Sequence, residues 1–195
     1  MIAVAKDDAC NVMATLCGGL IDEVLGCEAE GEERELAIRG LRAMCFSSEA
    51  KARFMAAALT ESRKALPACR PNPPVGCVIV SEDRVLSRGF TGAPGTPHAE
   101  AFSIASLSYT GSAAALSAFV TLEPCAFHGR TPSCAVALID RGIGSVFVGI
   151  VDPDPRNNGR GLRLLAEAGV HVELGILEQD VREFLAPYLV GAVTK

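Results

Sequence analysis

Apolar positions along this chain recur with two different periods. From Val12 to Leu25 and from Glu32 to Phe46 they return at helical spacing, with the acidic stretch Glu28 to Glu35 between the two runs. A third helix, rich in alanine, is expected over Lys51 to Leu66 and should stop before Pro67. Past the loop punctuation of Pro71-Asn72-Pro73-Pro74 the pattern changes. Val75 to Val80 and Val85 to Phe90 read as two strands joined by the turn Ser81-Glu82-Asp83-Arg84. Strands are also expected at Ala118 to Leu122, Ser145 to Ile150 and Val170 to Ile176. Between them, Thr96-Pro97 opens a helix to about Leu107, with Thr96 as cap and Pro97 in the first position. Thr131-Pro132 repeats that signal for a helix ending near Arg141-Gly142. Gly161 to Ala168, closed by Gly169, and Glu178 to Leu189 complete the set.

Strands alternating with helices imply an α/β fold whose sheet is mostly parallel and covered on both faces. The tight turn between the first two strands adds an antiparallel edge. The expected organisation is a helical N-terminal extension, residues 1–50, of unassigned role, followed by one catalytic domain over residues 51–195. Helix packing on the core is the simplest use of that extension.

Composition narrows the function. Hydrophobic residues make up 49% of the chain and charged ones 21%, so a sizeable core is available. The net charge of −5 is concentrated near the start, where residues 1–50 carry 4 Lys and Arg against 10 Asp and Glu. No basic stripe is left for nucleic acid, and no apolar run reaches the length of a bilayer span. Small-molecule chemistry is therefore expected, with neither a nucleic acid nor a membrane as partner. The first residues lack the pattern of a secretory signal, since Lys6 is followed by Asp7 and Asp8. The cytoplasm is the expected compartment, and its thiols would keep the 8 cysteines reduced.

Three segments carry chemistry: His98-Ala99-Glu100, Glu123-Pro124-Cys125 and Cys134. Each ligand candidate stands at or just inside a helix start, and such starts converge at the carboxyl edge of an α/β sheet. One imidazole and two thiolates suit zinc, and a catalytic zinc site leaves a fourth position open for water. Helix N-termini favour thiolates further. Glu100, two residues past His98, is read as the group that moves protons and not as a ligand. This His-x-Glu then Pro-Cys order is the signature of zinc nucleobase deaminases. Here eight residues separate Cys125 from Cys134, where the commonest form has two. Cys10, Cys17, Cys27, Cys45, Cys69 and Cys77 read as small buried residues, and Glu123 as a residue that orients its turn. Arg156, Arg160 and the glycines before the Gly161 helix offer a phosphate cradle.

Five stretches together resemble the deaminase domain of the riboflavin-biosynthesis deaminase–reductases, within the cytidine-deaminase-like superfamily. They are Pro71 to Val80, Pro97 to Glu100, Thr121 to Cys125, Gly129 to Cys134, and Asp152 to Pro155 with Gly159-Arg160-Gly161. The similarity spans about residues 53 to 180. It implies a three-layer α/β/α sandwich on a mixed five-stranded sheet, one zinc ion per chain and a homo-oligomer, in the simplest case a dimer. Residue by residue, His98, Cys125 and Cys134 match the zinc ligands and Glu100 the proton shuttle. Asn72 matches a pyrimidine contact, and Arg130 and Asp152 match positions around the ribose and phosphate. The chain departs from the family at two places. Gly89-Phe90-Thr91 replaces the usual Gly-x-His, and Ala126-Phe127 replaces Ser-His, with His128 as one substitute. Thr91, Phe127 and His128 are therefore added to the candidate substrate contacts, and Arg160 joins them from the phosphate cradle.

The expected activity is hydrolysis of an exocyclic amine on an aminopyrimidine, with release of ammonia, by a stand-alone enzyme. The leading substrate is like the 2,5-diamino-6-ribosylamino-pyrimidinone 5′-phosphate of riboflavin synthesis. Alternatives are the same reaction on guanine or a specialised-metabolite pyrimidine, deamination of tRNA or single-stranded DNA, and a non-catalytic zinc scaffold. The nucleic-acid reading is disfavoured by a chain with no Trp and two Tyr. The scaffold reading leaves Glu100 without a use.

Overall fold

The computed structural model describes residues 46–127 and 132–189. The helices expected at 12–25 and 32–46 lie outside these residues, apart from Phe46. Helix α1 (Ser48–Lys64) starts three residues earlier than expected because the Ser47 hydroxyl accepts from the Ala50 N–H at 3.1 Å. Next come β1 (Gly76–Ser81), β2 (Arg84–Phe90) and α2 (Ala99–Ala105). A single 3₁₀ turn at Ala113–Ala115 precedes β3 (Leu116–Leu122), followed by α3 (Cys134–Asp140) and β4 (Ser145–Ile150). The last elements are α4 (Arg160–Glu167), β5 (His171–Leu174) and α5 (Glu178–Leu189).

The five strands lie in the order β2-β1-β3-β4-β5. β1 is antiparallel to both of its neighbours, while β3, β4 and β5 run parallel. Only β1 is reversed, so the sheet is mixed with one prevailing strand direction. Helix α1 packs on β1, β2 and β3, and α5 packs on β4. The Arg63 guanidinium of α1 sits over the Phe184 ring of α5, placing both helices on one face. Helix α2 packs on β1 and β2, α3 lies between α2 and α4, and α4 packs on β5. These form the other face, and the three-layer sandwich is complete.

Buried sequence explains the layering. Every residue of β3 and β4 is buried, as expected for strands covered on both sides. Phe119 and Phe147 face each other across the β3–β4 pair and stack with ring centroids 4.5 Å apart. Phe54 of α1 and Phe46 pack edge-on or tilted against this stack, so the described core reaches back to residue 46. Burial of each ring is worth about 1.5–3 kcal/mol. Close approach also requires glycine at Gly89, where a Cβ would stand 2.3 Å from the Ala99 carbonyl oxygen of α2. That contact seats the start of α2 against the sheet.

Two expected helix starts shift. The cap before α2 is His98, with extended backbone, and the Thr96 hydroxyl instead donates to the Ala93 carbonyl at 2.7 Å, closing a turn. The cap before α3 is Ser133, whose hydroxyl accepts from the Val136 N–H. The first Thr-Pro pair thus belongs to the loop, and in both cases the cap is the residue that follows the proline. The last strand is shorter than expected because Gly175 and Leu177 both take positive φ.

A His-Cys-Cys centre with a buried glutamate

The antiparallel β1 brings its starting end to the sheet edge where β2, β3 and β4 finish. Thr91 after β2, Glu123 and Cys125 after β3 and Asp152 after β4 therefore meet the Asn72 loop before β1. They line one cavity of about 460 Å³ together with His98, Glu100, Phe127, Arg156 and Leu189, at the end of α5.

At its floor, His98 Nδ1 lies 3.7 Å from Cys125 Sγ and 3.3 Å from Cys134 Sγ. The ligand atoms of the three residues all fall within 4.8 Å of one another. A tetrahedral zinc with ordinary Zn–N and Zn–S bonds sets an N···S edge of about 3.6 Å, so the donor set fits that ion. His98 and Cys125 line the cavity and Cys134 does not, so the open side of the cluster faces the cavity. His128, the only nearby extra ligand in the sequence, lies outside the described residues.

Backbone geometry locks the two thiols together. The Cys134 N–H donates to Cys125 Sγ at 3.3 Å, and the Ala135 N–H donates to the Cys125 carbonyl at 3.1 Å. The Ser133 hydroxyl donates to the same carbonyl at 2.7 Å. The Cys134 thiol, the His98 imidazole and that N–H hold the Cys125 thiol well below the ordinary range, whereas its negative neighbour and burial push Cys134 up. The hydrogen bond with Cys125 raises His98 in turn. Glu100, in the first turn of α2, is only 3% exposed and reaches the cavity. Burial first, and the charge of Cys125 second, push its carboxyl up to about 7.

Glu123 orients its turn through four backbone donors. Its carboxylate accepts from Asp152 and Gly159 on one oxygen and from Gly161 and Leu162 on the other, at 2.8–3.4 Å. This corrects the expected phosphate cradle before α4, because the chain's own carboxylate already occupies those N–H groups. Gly161 must be glycine, since a Cβ there would stand 1.9 Å from the Pro124 carbonyl oxygen.

Other expected contacts divide into two groups. Asn72, Thr91, Phe127 and Asp152 line the cavity. The Thr91 hydroxyl is engaged with the backbone of Val75, accepting from its N–H at 3.0 Å. Arg160 is exposed at the start of α4 and is not among the lining residues, whereas Arg156 is. Arg156 forms an ion pair with Asp154 through Nε and Nη2 and lies 4.6 Å over the Phe127 ring. His128 and Arg130 lie outside the described residues. Cys69 and Cys77 are buried, as read from the sequence. The sequence reading missed Asn157, which is fully buried and bonded to the segments on both sides of Cys125. In a stretch of Pro, Asn and Gly it reads as a turn former, so only its burial reveals it.

The fold and this His-Cys-Cys cluster fit the zinc-binding region of deaminases. The chain belongs to the cytidine and deoxycytidylate deaminase zinc-binding family, whose model matches residues 48–150. Within it, the similarity is to riboflavin-biosynthesis deaminases. The riboflavin biosynthesis protein RibD of Chlamydia pneumoniae is 42% identical over 144 residues, covering 73% of this chain and 37% of that protein. The solved structure of Acinetobacter baumannii RibD superposes with a TM-score of 0.70 at 38% identity, covering 76% of this chain and 41% of the other. The deaminase/reductase of Thermotoga maritima, described as acting on a diaminohydroxyphosphoribosylaminopyrimidine, gives 0.69 at 33% identity, covering 75% and 42%. The chain thus spans little more than a third of the curated relative's length. Among the described residues no helix is long and apolar enough to cross a membrane.

Proposed function

We propose that this chain hydrolyses the exocyclic amine of an aminopyrimidine of the riboflavin-pathway type, a phosphoribosylaminopyrimidine, and releases ammonia. One observation carries the reading: a His-Cys-Cys cluster opens onto a cavity beside a buried glutamate that is free of ligand duty. When bound, zinc would supply Lewis-acid activation of water, lowering its pKa to about 7. Glu100 takes a proton from the attacking water and passes it to the ring nitrogen next to the amine-bearing carbon. It then delivers a proton to the departing amine, so a C–O bond forms, the C–N bond breaks, and one water is consumed per ammonia released. His98, Cys125 and Cys134 hold the metal. Asn72, Asp152 and Phe127 are assigned to the base and sugar, Arg130 is added by resemblance, and His128 is added as a substitute for a polar group that the chain lacks. A cavity of about 460 Å³ suits a ligand of this size.

The setting we assign is the cytoplasm, and the assembly a homodimer, which sedimentation of the purified chain would test. Incubating zinc-loaded protein with the phosphoribosylaminopyrimidine and assaying ammonia tests the activity. Absence of turnover removes that substrate.

A second reading keeps the reaction on an unphosphorylated base. Its motive is the charge of the described lining, where Glu100, Glu123, Asp152 and Asp154 stand against Arg156. Comparing each base with its phosphoribosyl form decides between the two, a higher kcat/KM for the phosphorylated partner supporting the first.

A further inference from the structure

Asn157 sits on the loop between β4 and α4, outside every motif assigned to the chemistry, and its side chain is fully buried. A buried amide is costly unless its donors and acceptor are all engaged. Here they are engaged by the site itself. Its Oδ1 accepts from the Ala126 N–H at 2.9 Å, the first backbone donor after the ligand Cys125. Its Nδ2 lies 3.4 Å from the Pro124 carbonyl and 3.5 Å from the Glu123 carbonyl, just before that ligand. The same Nδ2 lies 3.3 Å from Asp152 Oδ2, on a carboxylate that lines the cavity. The other Asp152 oxygen accepts from the Asp154 N–H at 3.0 Å.

We infer that Asn157 is a positioning residue that ties the Cys125 turn and the Asp152 carboxylate into one register, fixing metal ligand and substrate acceptor relative to each other. The two halves of the amide divide the work. The oxygen holds the ligand turn, and the nitrogen aims Asp152. The inference rests, for its substrate half, on the proposed contact between Asp152 and the substrate.

Two variants separate the halves. Asn157→Asp keeps an oxygen for the Ala126 N–H but sets a carboxylate against Asp152, which repels it and removes the donor. Asn157→Ala removes both. Zinc release into excess chelator, followed with a metallochromic dye, needs no substrate. The alanine variant should release zinc at least tenfold faster than the parent, and the aspartate variant within about threefold of it. With the aminopyrimidine, the aspartate variant should raise KM at least tenfold while kcat falls less than threefold. Combining Asn157→Asp with Asp152→Asn restores a donor–acceptor pair in the opposite sense. Melting temperature should recover in that double variant while KM stays high, because Asp152→Asn also removes the proposed substrate acceptor, and a melting temperature still at or below that of Asn157→Asp alone overturns the pairing of the two side chains. Parental zinc release from the alanine variant, or an unchanged KM in the aspartate variant, overturns the inference. Should the alanine variant fail to fold, the aspartate and double variants decide it. If the parent turns over no aminopyrimidine, the functional reading fails on its own, and the chelator experiment still judges the hold on the Cys125 turn.

Discussion

Cys125 and Arg156 face the same cavity, one at its floor and one at its rim, and they are held in different ways. Cys125 is fixed by the backbone N–H of Cys134, by bonds from Ala135 and Ser133 to its carbonyl, and by Asn157 on either side. Arg156 is fixed by one carboxylate and one ring, and its side chain is 68% exposed. The floor is thus over-determined by backbone geometry, whereas the rim rests on a few side-chain contacts in water. Under the proposed function, reaction chemistry is assigned to the first region and choice of substrate to the second. Substitutions at the floor should therefore abolish catalysis, and those at the rim should only redistribute it among substrates.

The largest effect is expected at the metal. Cys134→Ala removes one of three protein ligands and leaves two, so zinc content by plasma emission should fall well below one per chain, with ammonia release undetectable. Full zinc with retained turnover would show that the ligand set is wrongly assigned. Glu100→Gln comes next. It keeps size and hydrogen bonding but cannot carry the proton, and losing a general acid–base costs about 10²–10⁴-fold in kcat. Zinc content and melting temperature should stay at parental values. A variant still turning over within tenfold would break the claim that floor chemistry runs through this carboxylate.

That same division governs how much could be read from the sequence. His98, Glu100, Cys125 and Cys134 were legible because metal and proton chemistry permit few residue types at those spacings. The order of elements was legible from the switch between helical and strand periods, and the limits of β4 and the start of α5 came out as expected. Helix starts were less legible. A Thr-Pro pair is a good cap signal, yet Thr96 closes a turn with Ala93 and leaves His98 extended as the cap. The rim was the least legible part. Arg160 and the neighbouring glycine amides read as an anion site, but a tertiary contact from Glu123, far away in sequence, takes the Gly159 and Gly161 amides first. Asn157 was invisible for the same reason, since nothing local distinguishes a buried amide from an exposed turn residue.

Glu123 stands between the two regions and gives an intermediate effect. Its carboxylate is 3% exposed and receives four backbone donors from the loop after β4 and the start of α4. Glu123→Gln turns one accepting oxygen into a donor that faces N–H groups. A buried donor left without an acceptor costs about 1–3 kcal/mol, so urea unfolding should show a loss of that order. Turnover of the folded fraction should stay within a few fold of the parent, because the carboxylate holds the loop and leaves the substrate to others. A collapse of kcat with unchanged stability would move Glu123 from scaffold to chemistry.

The smallest effect, and the sharpest test of the rim, is Arg156→Ala. An exposed ion pair contributes about 0–1 kcal/mol, so stability should hardly move. The charge balance of the rim, however, becomes more negative, because Asp154 then loses its ion-pair partner. A phosphorylated substrate should feel this as repulsion. Its KM should rise about threefold to tenfold, the equivalent of roughly 0.7–1.4 kcal/mol. The unphosphorylated base should keep its KM within twofold. Raising the salt concentration should shrink the difference, since an exposed charge is screened within about 10 Å at 0.1 M. Equal increases for both substrates would mean that Arg156 acts by supporting the Phe127 ring, and the rim would then read shape where charge is proposed.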